Sequence, residues 1–415
     1  MAFGSRGAGV TTPATIFRGR WLIPAEGPVI ADGAVVAAGG RILRVGPWSV
    51  VEPHVGPADR VEHLPDSAIL PGFVNAHTHL PLSDHAGKFR PTRHFASWLA
   101  RLVARRIIRT ESGIRKAIAL GARLSAEAGT VAAADLTSDP AWDDSLGHDG
   151  TRWIVFGEIF RHGPAAHAHL AKVVETLESL ARAAPVRVGL SPHAPYTVGL
   201  DVFMAARREA DARGWPISTH LHETPDEIAF TERGEGTLHT WLSRLGLLPP
   251  DWRPAGLRPI PMLAREGFFA RPVLAAHANY LEDEEIAILA RSGSSVAFCP
   301  RSHTFFKHTG HPWRRLLAAG VNVCLGTDSL ASCPTLSMLD EARFLLAQEG
   351  GTDPRLLLDM VTRRGARALG LEDEVGDLRP GLAAVICAVA PVDRTDDPLG
   401  AVLGGACGPV RVLRA

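Results

Sequence analysis

Ile69-Leu70-Pro71-Gly72-Phe73-Val74-Asn75-Ala76-His77-Thr78-His79 is an apolar run that stops at two histidines. Positions i and i+2 of a β-strand point to the same face, so His77 and His79 can reach one ion together. Three later segments share this design: Ser218-Thr219-His220-Leu221-His222-Glu223, Leu274-Ala275-Ala276-His277 and Cys324-Leu325-Gly326-Thr327-Asp328. Each is a short apolar strand ending in a residue type that binds metal or moves protons. A third histidine and an aspartate from distant strands would complete a compact nitrogen/oxygen site suited to zinc or another divalent transition metal.

Outward from that stretch, strands alternate with helices. Strands are expected at 69–76, 129–136, 152–160, 186–192, 216–222, 272–277, 295–299 and 321–327, with helices such as 113–127, 167–182, 200–213, 282–291 and 355–369. Eight strands in βα alternation predict an α/β fold of the (β/α)8 TIM-barrel type, whose sites form at the C-terminal strand ends. Every candidate ligand falls at such an end. Residues 13–66 and 378–415 read differently, as short strands separated by Gly turns. They predict a small β-sandwich domain built from both termini beside a metal-dependent barrel domain at 67–377. The connections 80–112 and 224–271 are too long for simple βα turns and should overhang the pocket. The first carries Phe89, Phe95 and Trp98.

The chain has 415 residues, 46% of them hydrophobic, enough for a full core. Its 44 basic residues balance its 44 acidic ones, which gives no reason to expect nucleic acid or an anionic membrane as partner. No apolar run reaches the roughly 18 residues of a membrane helix. Met1–Thr12 is Gly-rich and lacks an apolar signal core. Cys299, Cys324, Cys333, Cys387 and Cys407 form no C-x-x-C pair, which predicts reduced thiols in a cytoplasmic protein. The expected partner is a small-molecule substrate, and the expected assembly is a homo-oligomer, a dimer.

His220 and His222 share one strand phase, so geometry leaves the choice of ligand between them open. Glu223 lies where that strand turns into a loop. A carboxylate there can carry protons from an activated water to a leaving group. Asp328 is either a metal-binding carboxylate or a helix N-cap before Ser329. His277 can polarise the bond under attack, and His193, after Gly189-Leu190-Ser191-Pro192, can hydrogen-bond the substrate. Arg301, Ser302 and His303 follow Phe298-Cys299-Pro300 as polar groups expected at the pocket mouth. Asp135 and Glu158 read as structural. There is no G-x-S-x-G elbow and no Gly-rich phosphate loop.

The segments PGFVNAHTHL (71–80), GLSPHAPYTV (189–198), STHLHET (218–224), AAHANYL (275–281) and LGTDSLAS (325–332), in that order, resemble the amidohydrolase superfamily, specifically its deaminase and chlorohydrolase branch. The resemblance runs from the strand at 14–18 to the strand at 383–389. It implies metal ligands at His77, His79, His220 and Asp328. The family's catalytic glutamate lies three residues after the ligand histidine, so Glu223 selects His220 over His222. The resemblance further implies catalytic roles for Glu223, His277 and Asp328 and a substrate contact at His193. Branches that hold two metals need a lysine on the fourth strand, and Val186-Arg187-Val188-Gly189-Leu190 has none. One divalent ion is therefore expected, zinc first and iron as the other candidate.

HTHLPLSDHAGK (77–88) and GTDSLAS (326–332) are similar to aminodeoxyfutalosine deaminases, whose usual segment has Glu where this chain has Pro81. Adenosine and S-adenosylhomocysteine deaminases carry an E-W-L segment whose Glu holds the ribose. Here the stretch is Phe95-Ala96-Ser97-Trp98-Leu99, without that Glu, and CPRSH (299–303) departs from the commoner C-P-x-S-N. The implied activity is hydrolytic deamination of an aminated heteroaromatic ring, purine or purine-nucleoside-like, with aminodeoxyfutalosine among the candidates. The alternatives are a chlorohydrolase or cyclic amide hydrolase using the same activated water and, more remotely, a non-catalytic metal-binding scaffold. Trp98, Arg301 and His303 join His193 as expected substrate contacts. Arg301 and His303 are expected to meet an anionic substituent, which makes plain adenosine a poor substrate.

Overall fold

The structure, a computed structural model, describes residues 13–138, 142, 147, 150–390, 395–405 and 407–415. The expectation for Met1–Thr12 lies outside the described residues. Within them the strands are β1 (Thr15–Leu22), β2 (Ile30–Ala38), β3 (Arg41–Pro47), β4 (Arg60–Pro71), β5 (Phe73–Thr78), β6 (Thr130–Thr137), β7 (Arg152–Ile159), β8 (Arg187–Pro192), β9 (Ser218–Leu221), β10 (Leu274–His277), β11 (Ser295–Phe298), β12 (Asn322–Leu325), β13 (Val385–Val389) and β14 (Val410–Arg414).

β5 to β8 form one four-stranded parallel sheet and β9 to β12 another. Single parallel bridges mark the two seams, Leu190 with Ile217 and Thr78 with Asp328. The ring of eight strands is thus two half-sheets, with no continuous ladder closing it among the described residues. Every residue of β9, β10, β11 and β12 is buried, as befits parallel strands covered on both faces.

The run expected as one strand at 69–76 is divided. Pro71 ends β4 and Phe73 begins β5, and they belong to different sheets. Gly72 sits at the division, where a Cβ would lie 2.2 Å from Val131 Cγ1. Only a bare backbone passes there. The boundary expected between residues 66 and 67 falls inside β4.

The strands from both chain ends pair as a mixed six-stranded sheet in the order β14-β13-β4-β1-β2-β3. The sandwich expected here is one hydrogen-bonded sheet that turns back on itself: Arg41 of β3 bridges Ala383 just before β13, and the Ile42 N–H donates to the Leu382 carbonyl at 2.8 Å. One apolar cluster lies among the sheet's own strands and the other under a helix. Phe17, Val35, Ile42 and Ile386 pack with Leu378 and Leu382, just before β13. Ile16, Ala34 and Val36 pack with Val51 of the helix Trp48–Val51. The helix expected at 355–369 is likewise two, Pro354–Met360 and Arg363–Ala368, broken at Thr362 with φ −133° and ψ −96°.

The long connection after β5 holds a 3-10 turn, Leu80–His85, and the helix Phe95–Ile107. The one after β9 holds helices Pro225–Arg233, Gly236–Arg244 and Pro259–Arg265. The two connections meet in one apolar cluster: Phe95 and Trp98 with Phe230, Leu238 and Leu242. All five cysteines are free, four of them buried. Among the described residues no helix is long and apolar enough to cross a membrane.

Candidate metal centre and its cavity

β5 delivers His77 and His79 from one strand face. His77 is fully buried, and neither of its ring nitrogens has a hydrogen-bond partner. His79 Nδ1 donates to the Leu136 carbonyl at 3.0 Å, and His220 Nδ1 donates to the His193 carbonyl at 3.1 Å. A carbonyl only accepts, so in the neutral rings both protons sit on Nδ1 and both Nε2 atoms present lone pairs. Those Nε2 atoms stand 3.3 Å apart. Two acceptors facing each other need a cation between them. Nitrogens roughly 2.0–2.1 Å from a tetrahedral zinc stand about 3.4 Å apart, so the residues present fit such an ion. The ligand atoms of His77, His79 and His220 all lie within 4.8 Å of one another. Asp328 Oδ1 is 3.7 Å from His79 Nε2 and 3.9 Å from His77 Nε2. Burial first, then the neighbouring imidazoles, push His77 and His220 well below the usual histidine range, toward the neutral form a metal requires.

Asp328 comes from the far half-sheet. Gly326 lets the two chains close, since a Cβ there would lie 2.8 Å from His77 Cβ. The backbone N–H groups of Thr327 and Asp328 both donate to the His77 carbonyl, at 3.1 and 3.0 Å. Ser302 and Ser332 donate their hydroxyls to Asp328 Oδ2 at 2.6 and 2.7 Å. That leaves Oδ1 facing the histidines. Ser302, expected with the pocket-mouth residues, supports Asp328 instead, and Ser332 carries no sequence signal beyond its place in GTDSLAS.

His222, His277, Ala278 and Asp328 all have left-handed φ, 52°, 68°, 54° and 58°. Such strain in non-glycine residues gathers at functional sites, where it re-aims side chains off their strands. It explains how two residues in the same strand phase separate. His222 Nε2 lies 3.0 Å from Glu285 Oε1, and its Nδ1 donates to the Tyr280 carbonyl at 3.2 Å. Arg258 donates to the same Glu285 carboxylate. Burial pushes Glu285 upward, but its hydrogen bonds from His222 and Arg258 prevail and bring it to about 2. His222 therefore belongs to a buried ion-pair cluster, while His220 faces His79.

Glu223 is only 6% exposed, with Oε1 3.7 Å from His277 Nε2. Its backbone N–H donates to Glu227 at 3.0 Å, as the His222 N–H does at 2.9 Å, and Asn279 donates to its carbonyl at 2.9 Å. Glu227, which the sequence reading missed, is thus the clamp of this turn. Burial first, then the negative Asp328 and Glu227, raise Glu223 well above the usual carboxyl range. A carboxyl that keeps its proton near neutral pH can serve as a general acid.

A cavity opens above these groups, lined by His79, His193, His220, Glu223, His277 and Asp328 and walled by Trp98, Arg106, Glu158, Phe160 and Tyr196. His193 donates from Nδ1 to Thr197 Oγ1 at 2.8 Å, because that hydroxyl's own proton goes to the Ala194 carbonyl. Its Nε2 is left as an acceptor. Of the expected substrate contacts, His193 and Trp98 line this cavity; Arg301 and His303 do not. Residues Pro300–Phe305 form a helix, which turns neighbours about 100° apart. Ser302 takes the face toward Asp328, so its neighbours point elsewhere. Arg301 donates from Nε to the buried Glu341 at 2.7 Å and from Nη1 to Thr335 at 2.9 Å. His303 lies among Phe298, His308 and His311, and burial lowers its pKa to about 4. Asp135 accepts from the Leu80 N–H and from Trp142 Nε1, at 2.7 and 2.6 Å, a structural placement. Glu158, expected to be structural, lines the cavity instead.

The model of the amidohydrolase family matches residues 68–410. The chain is 30% identical over 377 residues to a 5-methylthioadenosine/S-adenosylhomocysteine deaminase of Moorella thermoacetica, a match covering 88% of this chain and 82% of that protein. It is 31% identical over 370 residues to an aminodeoxyfutalosine deaminase of Deinococcus radiodurans, covering 84% of each. Among solved structures it is similar to a zinc-bound adenosine deaminase of Xanthomonas campestris, with 25% identity, a TM-score of 0.79, and 94% and 88% of the two chains covered.

Proposed function

The chain belongs to the amidohydrolase family, and from that premise we propose that it is a metal-dependent hydrolytic deaminase of an aminated heteroaromatic ring, purine or purine-nucleoside-like, that releases ammonia. The observation that carries this reading is the placement of the buried Glu223 beside both His277 and the three-histidine, one-aspartate cluster, where burial favours the protonated carboxyl. Both curated relatives above are named deaminases.

A single divalent ion held by His77, His79, His220 and Asp328, zinc or iron, would supply a water activated for attack near neutral pH. Asp328 Oδ1 orients that water and takes its proton, steadied because Ser302 and Ser332 hold the other oxygen. Glu223 protonates the ring nitrogen next to the carbon under attack. His277, 3.7 Å from Glu223, stabilises the charge that develops there. Asp328 then passes the proton it took to the amino group, the C–N bond breaks to release ammonia, and the proton of the new hydroxyl goes back to Glu223 as the ring carbonyl forms. His193 Nε2 accepts from the ring, and Trp98 offers it an aromatic wall.

The test is ammonia release by the metal-loaded protein across aminated purines, pterins, pyrimidines and their nucleosides. Turnover of one or more purine-type members is expected. Release of chloride or a carboxylate from halogenated or cyclic-amide analogues, with no ammonia from the panel, would replace this reading with the chlorohydrolase or amidase one.

A further inference from the structure

We propose that His311 is a positioning residue for His277: it holds the peptide turn after β10 so that the His277 ring stays against Glu223. This deepens the deaminase reading and rests on it. His277 is the last residue of β10, and both it and Ala278 adopt left-handed φ, 68° and 54°. Two successive non-glycine residues in that region are sterically disfavoured, so contacts from outside the turn must hold its shape. On one side the Ala278 N–H donates to the Leu221 carbonyl at 2.9 Å, and the Asn279 N–H donates to the His222 carbonyl at 3.1 Å. On the other side His311 Nε2 donates to the His277 carbonyl at 2.7 Å. That bond grips the peptide between His277 and Ala278, the backbone that aims the ring. His277 Nε2 then stands 3.7 Å from Glu223 Oε1.

His311 is itself held in place. It lies in the link between the helices Pro300–Phe305 and Trp313–Ala318. Its ring stacks on Phe298, with centroids 3.7 Å apart and planes at 19°. Phe298 ends β11, the strand beside β10, so the donor is anchored to the neighbouring strand. Burial lowers the His311 pKa to about 3, and the ring is neutral with one proton. A carbonyl only accepts, so that proton sits on Nε2. Nδ1 is buried without a partner. Such an orphan is uncommon and calls for a reason; here the ring's direction is set by the His277 carbonyl. The same link reaches the turn a second time, where His308 Nδ1 lies 2.7 Å from the Tyr280 hydroxyl. A catalytic side chain keeps its aim when supporting groups are locked in this way.

The experiment uses the zinc-loaded full chain and separates stacking from donation. His311→Phe keeps a ring on Phe298 and removes the N–H. His311→Gln places an amide N–H near the position of Nε2. His311→Asn, whose amide falls short of the carbonyl, is a second non-donating variant. With a purine-type substrate that releases ammonia, His311→Phe and His311→Asn should lower kcat by about tenfold to a hundredfold, as misplacement of a reacting group does. KM should stay within about twofold and the metal should be retained, and His311→Gln should recover most of the rate. A ring analogue with a tetrahedral, hydroxyl-bearing carbon should lose affinity in parallel with kcat, while product affinity holds. An undiminished kcat in the non-donating variants overturns the proposal. So does a loss that His311→Gln fails to restore, or one matched by an equal loss of metal or product affinity. If no purine-type compound releases ammonia, the deaminase reading alone fails, and NMR of the His277 ring decides for His311. The imidazole signals, assigned by their loss in His277→Gln, should shift in His311→Phe and return in His311→Gln. Signals that stay in place refute the positioning role.

Discussion

His77 is fully buried with both ring nitrogens lacking hydrogen bonds. Each buried polar group left so costs about 1–3 kcal/mol, which a metal bond would offset. His77→Ala or His79→Ala should therefore lose both metal and activity, and elemental analysis of the wild type should find one divalent ion per chain. Two tightly held ions in active protein would refute the single-ion site. His222→Ala should keep the metal, because His222 contacts Glu285; an empty site in His222→Ala and a full one in His220→Ala would reverse the assignment. Glu223→Gln keeps the size of the side chain but cannot donate a carboxyl proton. It should retain metal and bind substrate while kcat drops by about a hundredfold or more. Near-normal turnover would remove Glu223 from the mechanism.

Elements hold these side chains through a few tight passages. At the passage from β4 to β5 the added methyl of Gly72→Ala would meet Val131 at 2.2 Å. Overpacking of this kind costs about 1–3 kcal/mol, so the urea midpoint should fall. Gly46→Ala, where nothing lies within 4 Å of the new Cβ, should change stability far less. Equal midpoints for the two variants would show that the passage yields. Beneath the β9 end, Glu285 titrates at about 2 in the folded chain against an ordinary 4.5. A depressed carboxyl contributes stability that is fully present above its unfolded pKa and is lost as pH falls through the folded one. The contribution, about 3 kcal/mol, should disappear between about pH 4.5 and pH 2. Glu285→Gln should flatten that part of the acid limb; an unchanged acid limb would mean that the His222–Glu285–Arg258 cluster does not govern it.

At the scale of the whole molecule, each seam between the two half-sheets carries a single β-bridge and a few hydrogen bonds in place of a full ladder, and the four candidate ligands straddle the seams. His77 and His79 come from the first half-sheet, His220 and Asp328 from the second. An ion bound there would tie the halves together and stabilise the folded state by mass action. Treatment with a chelator should lower the melting temperature by several degrees, and added zinc should restore it. The shift should be absent in His77→Ala, which cannot hold the ion. A chelator-insensitive melting temperature in protein shown to lose its metal would mean that the halves are held by packing alone.

What the sequence determined by itself was local and periodic. The i, i+2 spacing of His77 and His79, the apolar runs ending in His220, His277 and Asp328, and the order of five short segments all follow from strand geometry or from adjacent residues, so they could be read without a fold. The alternation of strands and helices was legible for the same reason. Tertiary structure decided where a chain goes once it leaves its strand. His220 and His222 share a phase, and only the left-handed turn at His222 and the buried Glu285 separate them. Arg301 and His303 looked like pocket residues until the helix at Pro300–Phe305 turned Ser302 toward Asp328 and gave Arg301 to Glu341. Arg106 and Glu158 reached the cavity without any motif. The terminal strands announced a small β domain, but its closure through Arg41 and Ala383 was set by tertiary pairing. In each case the deciding partner lies tens or hundreds of residues away in the chain. Side-chain direction beyond a strand end is set by such long-range packing, which residue type and periodicity do not encode.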